Sequence, residues 1–165
     1  MDERINYSTV APEGVRALSG IEAYVRRSGL GAGLLDLVKT RASQLNGCAY
    51  CIDMHTKDAR AGGETEQRLY ALSAWRETPF YTDRERAALA WAEAVTLISR
   101  GPVPDELYQE ARRHLSEKEL VDLTLALIAI NGWNRLSIAF RTVPGPYQPK
   151  PHVPAGAESR PPATV

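Results

Sequence analysis

Leu120 to Ile130 reads LVDLTLALIAI. On a helix these residues are apolar nearly all round, and a helix without a polar face has to be enclosed by other elements. Ser116 and Glu119, just ahead of it, form a capping-box pattern that marks where the helix starts. The chain is therefore expected to build itself around one central buried helix.

The rest of the sequence supplies amphipathic helices to surround it. Residues 12–27 carry Val15, Leu18, Glu22 and Val25 at helical spacing, with Ile21 beside them, and Gly29 ends the run. Residues 33–45 form a second helix with Leu34, Leu35, Val38, Ala42 and Leu45 on its apolar face, stopped by Asn46-Gly47. A third spans about 48–60 and ends at Gly62-Gly63. A fourth spans 65–75, with Leu69, Leu72 and Trp75 inward. Thr82 and Glu85 form a second capping box before an Ala-rich helix expected to reach Ser99, with Ala88, Trp91, Val95 and Ile98 buried. A shorter helix covers 104–114. No segment alternates with period two between hairpin turns. The fold class expected is all-α, a compact domain of about six to seven helices over residues 1–142. Residues 143–165 hold seven of the eleven prolines, so they are expected to form an extended or disordered arm that packs on a neighbour if ordered.

Composition narrows the function classes. Lys plus Arg is 20 and Asp plus Glu is 20, giving a formal net charge of zero. No long basic run is present, which argues against nucleic acid or an anionic membrane as the main partner. Near-zero charge weakens self-repulsion and permits self-association. No apolar run approaches the length of a membrane span, and the polar start MDERINYSTVAPEG has no signal-like apolar core. The expectation is a cytoplasmic protein in a reducing compartment. There, a close pair of cysteines is more often redox-active or metal-binding than a structural staple.

That pair lies in Gly47–His55, GCAYCIDMH, which contains both cysteines of the chain, Cys48 and Cys51, and one of its three histidines, His55. At about 100° per residue, positions three and four apart share a face, so all three side chains fall together. Asn46-Gly47 places Cys48 at the first helical turn, where unpaired N–H groups and the helix dipole favour an anion. An imidazole one turn on can take a thiol proton, and the imidazolium then holds the thiolate. A thiolate that attacks a peroxide becomes a sulfenic acid, and a neighbouring thiol converts it to a reducible disulfide. Two other readings compete: a zinc site, for which these three residues fall one ligand short of a structural set, and plain core cysteines with a chance histidine. A thioredoxin-like site is excluded because no βαβ context surrounds the CxxC.

The stretch LLDLVKTRASQLNGCAYCIDMHTKDARAGGETEQRLYALSAWRET resembles the carboxymuconolactone decarboxylase superfamily in its alkylhydroperoxidase D-like branch. INGWNRLSIAFRTVPG, from Ile130 to Gly145, resembles the same branch. The resemblance covers about residues 33–145. It implies an all-helical fold, homo-oligomers (dimer, trimer or hexamer), and a cofactor-free peroxidase site re-reduced by a dithiol donor such as a lipoylated protein. By position, Cys51 matches the sulfur that becomes the sulfenic acid, Cys48 the proton donor and resolving partner, and His55 the relay histidine. The helix dipole favours ionising Cys48, whereas the imidazole favours Cys51. The family's carboxylate twelve residues before the first cysteine falls on Asp36, one methylene shorter than the family's glutamate. On the helical face drawn above, Asp36 sits opposite the apolar stripe, which also fits a plain solvated aspartate. Trp133, Asn131 and Asn134 belong to the matching pattern without an evident role. Tyr50 reads as a gate or a packing residue, and Asp53 and Asp58 as surface charges. The function expected is reduction of hydroperoxides. The alternatives are a non-catalytic redox sensor and a decarboxylase of the lactone type, which would need no redox thiols.

Overall fold

The computed structural model describes residues 2–149. Within them lie eight α-helices and two short 3-10 segments, and no strand. The helices are α1 (Tyr7–Val10), α2 (Pro12–Val25), α3 (Ala32–Asn46), α4 (Ala49–Ala61), α5 (Glu66–Ala71), α6 (Asp83–Thr96), α7 (Asp105–His114) and α8 (Glu117–Phe140). The all-α expectation holds. The helix beyond the expected set is α1, a single turn capped by the Asn6 side chain, which accepts from the Ser8 and Thr9 N–H groups.

α3 is the hub and packs against α4, α6 and α8. α8, the apolar helix, is covered by α2, α3 and α6. Leu37 of α3, Leu89 of α6 and Leu123, Leu127 and Ile130 of α8 are essentially solvent-free, and their burial is the main favourable term for the fold. Gly132 permits the close approach of α2, because a Cβ there would stand 3.3 Å from a Leu18 methyl carbon. Both capping boxes form, Thr82 with Glu85 and Ser116 with Glu119.

Several sequence expectations need correction. α8, at 24 residues, is long and apolar enough to cross a membrane. It is nonetheless a core helix, with Asp122 and Asn134 buried on it and hydrogen-bonded within the domain. The fourth helix breaks after Ala71 into a 3-10 segment, Leu72–Glu77, with Ala74 off helical dihedrals. The segment ends at Thr78, which is extended (φ −119°, ψ 149°) as the residue before Pro79 is disposed to be. Leu69, Leu72 and Trp75 are nevertheless buried as expected, and the Trp75 Nε1–H donates to Glu93 at 2.9 Å. The next helix stops at Thr96, so Ile98 falls out of phase and is exposed rather than buried. Residues 143–149 lie against α4 of their own chain: Lys57 donates to the Gly145 and Tyr147 carbonyls, and the Gly145 N–H donates to Asp53. The remainder of the expected Pro-rich arm, 150–165, lies outside the described residues.

Candidate functional site

The site is made by the α3–α4 junction closing on α8. Gly47 ends α3 in the left-handed region (φ 70°, ψ 31°), a conformation that glycine adopts without a Cβ penalty. The chain then turns so that the Cys48 N–H donates to the Ser43 carbonyl at 3.0 Å. Cys48 is therefore the N-cap of α4 and not its first helical residue, as the sequence suggested; its backbone is extended (φ −88°, ψ 96°). Cys51 sits at the third helical position. An N-cap side chain faces the N–H of that position, so the helix start itself brings the two sulfurs together.

Both thiols are free and both are 1% exposed. Their ionisations are linked. The Cys51 thiol stabilises the Cys48 thiolate, against the cost of burial, and the Cys51 N–H, Asn134 and Ser137 add to it; the Cys48 pKa falls from 9.0 to about 7. The Cys51 thiol is pushed up, because it donates to Cys48, is buried, and faces the Cys48 charge. The pair thus loses its first proton near neutral pH, with the charge resting on Cys48.

His55 is 6% exposed and follows Cys51 by one turn of α4. Its Nδ1 has no hydrogen-bond partner among the described residues, and Asp36 Oδ1 stands 3.6 Å away. Asp36 is half-buried and directed at His55. The reading of Asp36 as a solvated residue opposite an apolar stripe fails because α3 is surrounded on most sides: Leu37, Val38, Lys39 and Thr40 are all buried. Asp58, read as a surface charge, joins this group. One ligand-type atom each from Asp36, His55 and Asp58 lies within 4.8 Å of the others, and among the described residues the cysteines do not belong to that cluster. The Tyr147 hydroxyl donates to Asp58 at 2.7 Å; burial, with the Asp58 hydrogen bond and charge, raises the Tyr147 pKa to about 12.

Sequence reasoning left two thiol neighbours on α8 without a role. Ser137 Oγ lies 3.9 Å from the Cys51 sulfur. Asn134, fully buried, donates to Ser43 at 3.0 Å and accepts from Asn46 at 2.8 Å, so its amide is fixed where it meets the sulfurs. Asn131 completes the brace by accepting from Asn46 at 3.0 Å. The signal for them was present: Asn134 and Ser137 are three apart and share a face of a helix that is otherwise apolar there.

A cavity of about 410 Å³ opens between α2, α4 and α8, with Tyr7 from α1 at its side. Cys51 and His55 line it; Cys48 does not and lies behind Cys51. Tyr50, Met54 and Trp133 supply apolar wall, so Trp133 faces the cavity as well as packing on the core.

Comparison with known proteins bears on this geometry. The carboxymuconolactone decarboxylase family profile matches residues 12–94. The uncharacterized protein YdfG of Bacillus subtilis is 50% identical over 139 residues, covering 84% of this chain and 95% of YdfG. The crystal structure of a protein of unknown function from Agrobacterium tumefaciens, described as a putative antioxidant defence protein AhpD, superposes with a TM-score of 0.85 at 44% identity, over 87% of this chain and 99% of that one. An uncharacterized peroxidase-related protein from Ralstonia eutropha, described as an alkylhydroperoxidase AhpD core, shares the fold, with a TM-score of 0.75 at 19% identity over 84% of this chain and 74% of that one.

Proposed function

Because the chain belongs to the carboxymuconolactone decarboxylase family, in its alkylhydroperoxidase D-like branch, we propose that it is a cytoplasmic thiol peroxidase that reduces hydroperoxides through Cys48, Cys51 and His55. One observation carries the reading. The cavity-facing Cys51 and His55 lie together, and the thiol directly behind Cys51 is lowered to about 7.

The chemistry follows from that arrangement. As a hydroperoxide enters, the Cys51 proton passes to the Cys48 thiolate, and the Cys51 sulfur attacks the terminal peroxide oxygen. The O–O bond breaks, Cys51 becomes a sulfenic acid, and the alkoxide takes the proton from Cys48 to leave as an alcohol. The regenerated Cys48 thiolate attacks the sulfenic sulfur. The S–S bond forms, and hydroxide departs as water by taking back, through His55, the proton that the thiol pair gave up when Cys48 ionised. The cysteine pair has lost two electrons and the peroxide has gained them. A dithiol donor, such as a lipoyl group carried on a protein, restores the pair by exchange. In this scheme Cys48 is both proton donor and resolving thiol, Ser137 and Asn134 hold the sulfurs, and Asp36 orients His55 directly or through a water. No cofactor is required.

The proposal includes assembly as a homo-oligomer. Val121 and Ile128, two turns apart on one face of α8, are 60% and 51% exposed, an apolar stripe suited to a second copy.

The test is consumption of cumene hydroperoxide with dihydrolipoamide as reductant. Turnover over many cycles, lost in Cys51→Ser and in Cys48→Ser, supports a peroxidase. A disulfide that forms once and does not turn over supports a sensor instead.

A further inference from the structure

Glu22 and Arg26 are four apart at the end of α2, the spacing at which a carboxylate and a guanidinium ordinarily pair. They do not pair. The Glu22 carboxylate is committed to Lys39 of α3 at 2.5 Å, a contact with side chains 16% and 5% exposed. Arg26 is left without a hydrogen bond or ion pair to its side chain among the described residues. It stands at the C-cap of α2 and on the wall of the cavity that ends at Cys51 and His55. Asp58, on the neighbouring side, has an oxygen occupied by the Tyr147 hydroxyl. The cavity therefore combines an apolar, largely aromatic wall of Tyr7, Tyr50, Met54 and Trp133 with one unoffset guanidinium.

We propose that this cavity binds amphipathic substrates carrying a carboxylate, with Arg26 holding the carboxylate while the apolar body fills the aromatic wall. The substrate class, resting on the peroxidase reading, is a carboxylated organic hydroperoxide. A guanidinium suits this task because its planar donors match a carboxylate two at a time. The cavity is the size of ordinary small-molecule sites, which are mostly apolar with a few placed polar groups.

The experiment separates binding from catalysis. Calorimetric titration of wild type and Arg26→Gln uses 4-isopropylbenzoate and its neutral amide, neither of which is a peroxide. The expected result is roughly tenfold or greater preference of wild type for the carboxylate, lost in Arg26→Gln and partly restored in Arg26→Lys. Thermal melts confirm that the variants fold; Arg26 is exposed, so they should. Equal binding of the two compounds by wild type, no binding of either, or a preference retained in Arg26→Gln overturns the proposal. In parallel, kcat/KM is measured for 4-carboxycumene hydroperoxide and cumene hydroperoxide, and their ratio should fall about tenfold in Arg26→Gln. If binding discriminates while no hydroperoxide turns over, the peroxidase reading fails and the carboxylate site stands.

Discussion

Cys48 and Cys51 differ because of where the helix begins. Cys48 stands at the N-cap of α4, where the Cys51 thiol, Asn134 and Ser137 favour its thiolate, whereas burial and the facing Cys48 charge hold the Cys51 proton in place. A group lowered from 9.0 to about 7 is protonated below that value and charged above it. Single-turnover oxidation by hydroperoxide should therefore rise about tenfold per pH unit below pH 7 and level off above it. In Cys48→Ser the midpoint should move to 9 or higher, because Cys51 then ionises alone; a midpoint unmoved by that substitution contradicts the linked-ionisation account. The 3.6 Å gap between Asp36 and His55 leads to a second expectation. Asp36→Glu lengthens the carboxylate by one methylene and should raise kcat several-fold, while Asp36→Asn lowers it about tenfold or more. Equal rates in all three would remove Asp36 from the scheme. The CxxCxxxH spacing made the thiol–imidazole face legible in the sequence, since three- and four-residue steps on a helix need no tertiary information. Asp36 was singled out as the partner of His55 by its place in the pattern, while its own helix left a solvated reading open, because its surroundings come from α4. Asp58 was read as a surface charge and Tyr147 was passed over because their hydrogen bond joins positions 89 residues apart.

At the level of elements, helix ends govern how well the site is held. Ser116 and Glu119 cap α8, the helix that carries Asn134 and Ser137, and Glu119 also pairs with Arg84 at 2.7 Å. Arg84 and the Ser116 cap hold the Glu119 carboxyl down at about 2. With the folded value below the ordinary 4.5, this interaction stabilises the fold above pH 4.5 and is lost as pH falls toward 2. Ser116→Ala should lower stability by about 1 kcal/mol at neutral pH in chemical denaturation, and a change near zero would mean that the cap is dispensable. Both capping boxes were legible because they are local patterns of four residues. The 3-10 break after Ala71 and the early end of α6 were not, because each depends on what the following loop must bury. Trp75 reaches Glu93, and Ile98 loses its phase when Leu97 leaves helical dihedrals.

For the whole molecule, one apolar helix enclosed by the others was the strongest sequence signal; α8 gives the core Leu123, Leu127 and Ile130 but leaves one face open at Val121 and Ile128, and α3 is the hub instead. The same signal passes a length-and-hydropathy test for a membrane span, which shows that apolarity alone does not distinguish a core helix from a spanning one. Its exposed residues, Val121 and Ile128, belong to the assembly proposal. Light scattering of the purified protein should give a dimer, trimer or hexamer, and Ile128→Glu should shift the mass toward the monomer. A monomeric wild type contradicts the proposed assembly. Residues 143–149 meanwhile tie the end of the domain to α4 through Asp53, Lys57 and Asp58, beside His55. That contact was invisible in a proline-rich composition, which specifies an extended chain but not where it lies.

The account stands most directly on the fate of the two sulfurs. Reduced protein, prepared without oxygen, is given one equivalent of cumene hydroperoxide, and the peptide spanning Cys48 and Cys51 is weighed with thiols blocked. The prediction is loss of two hydrogens as an intramolecular disulfide, reversed by dihydrolipoamide and repeated with each further equivalent. Thiols that remain free, or a sulfur that carries oxygen onward to sulfinic acid without closing the disulfide, would contradict it.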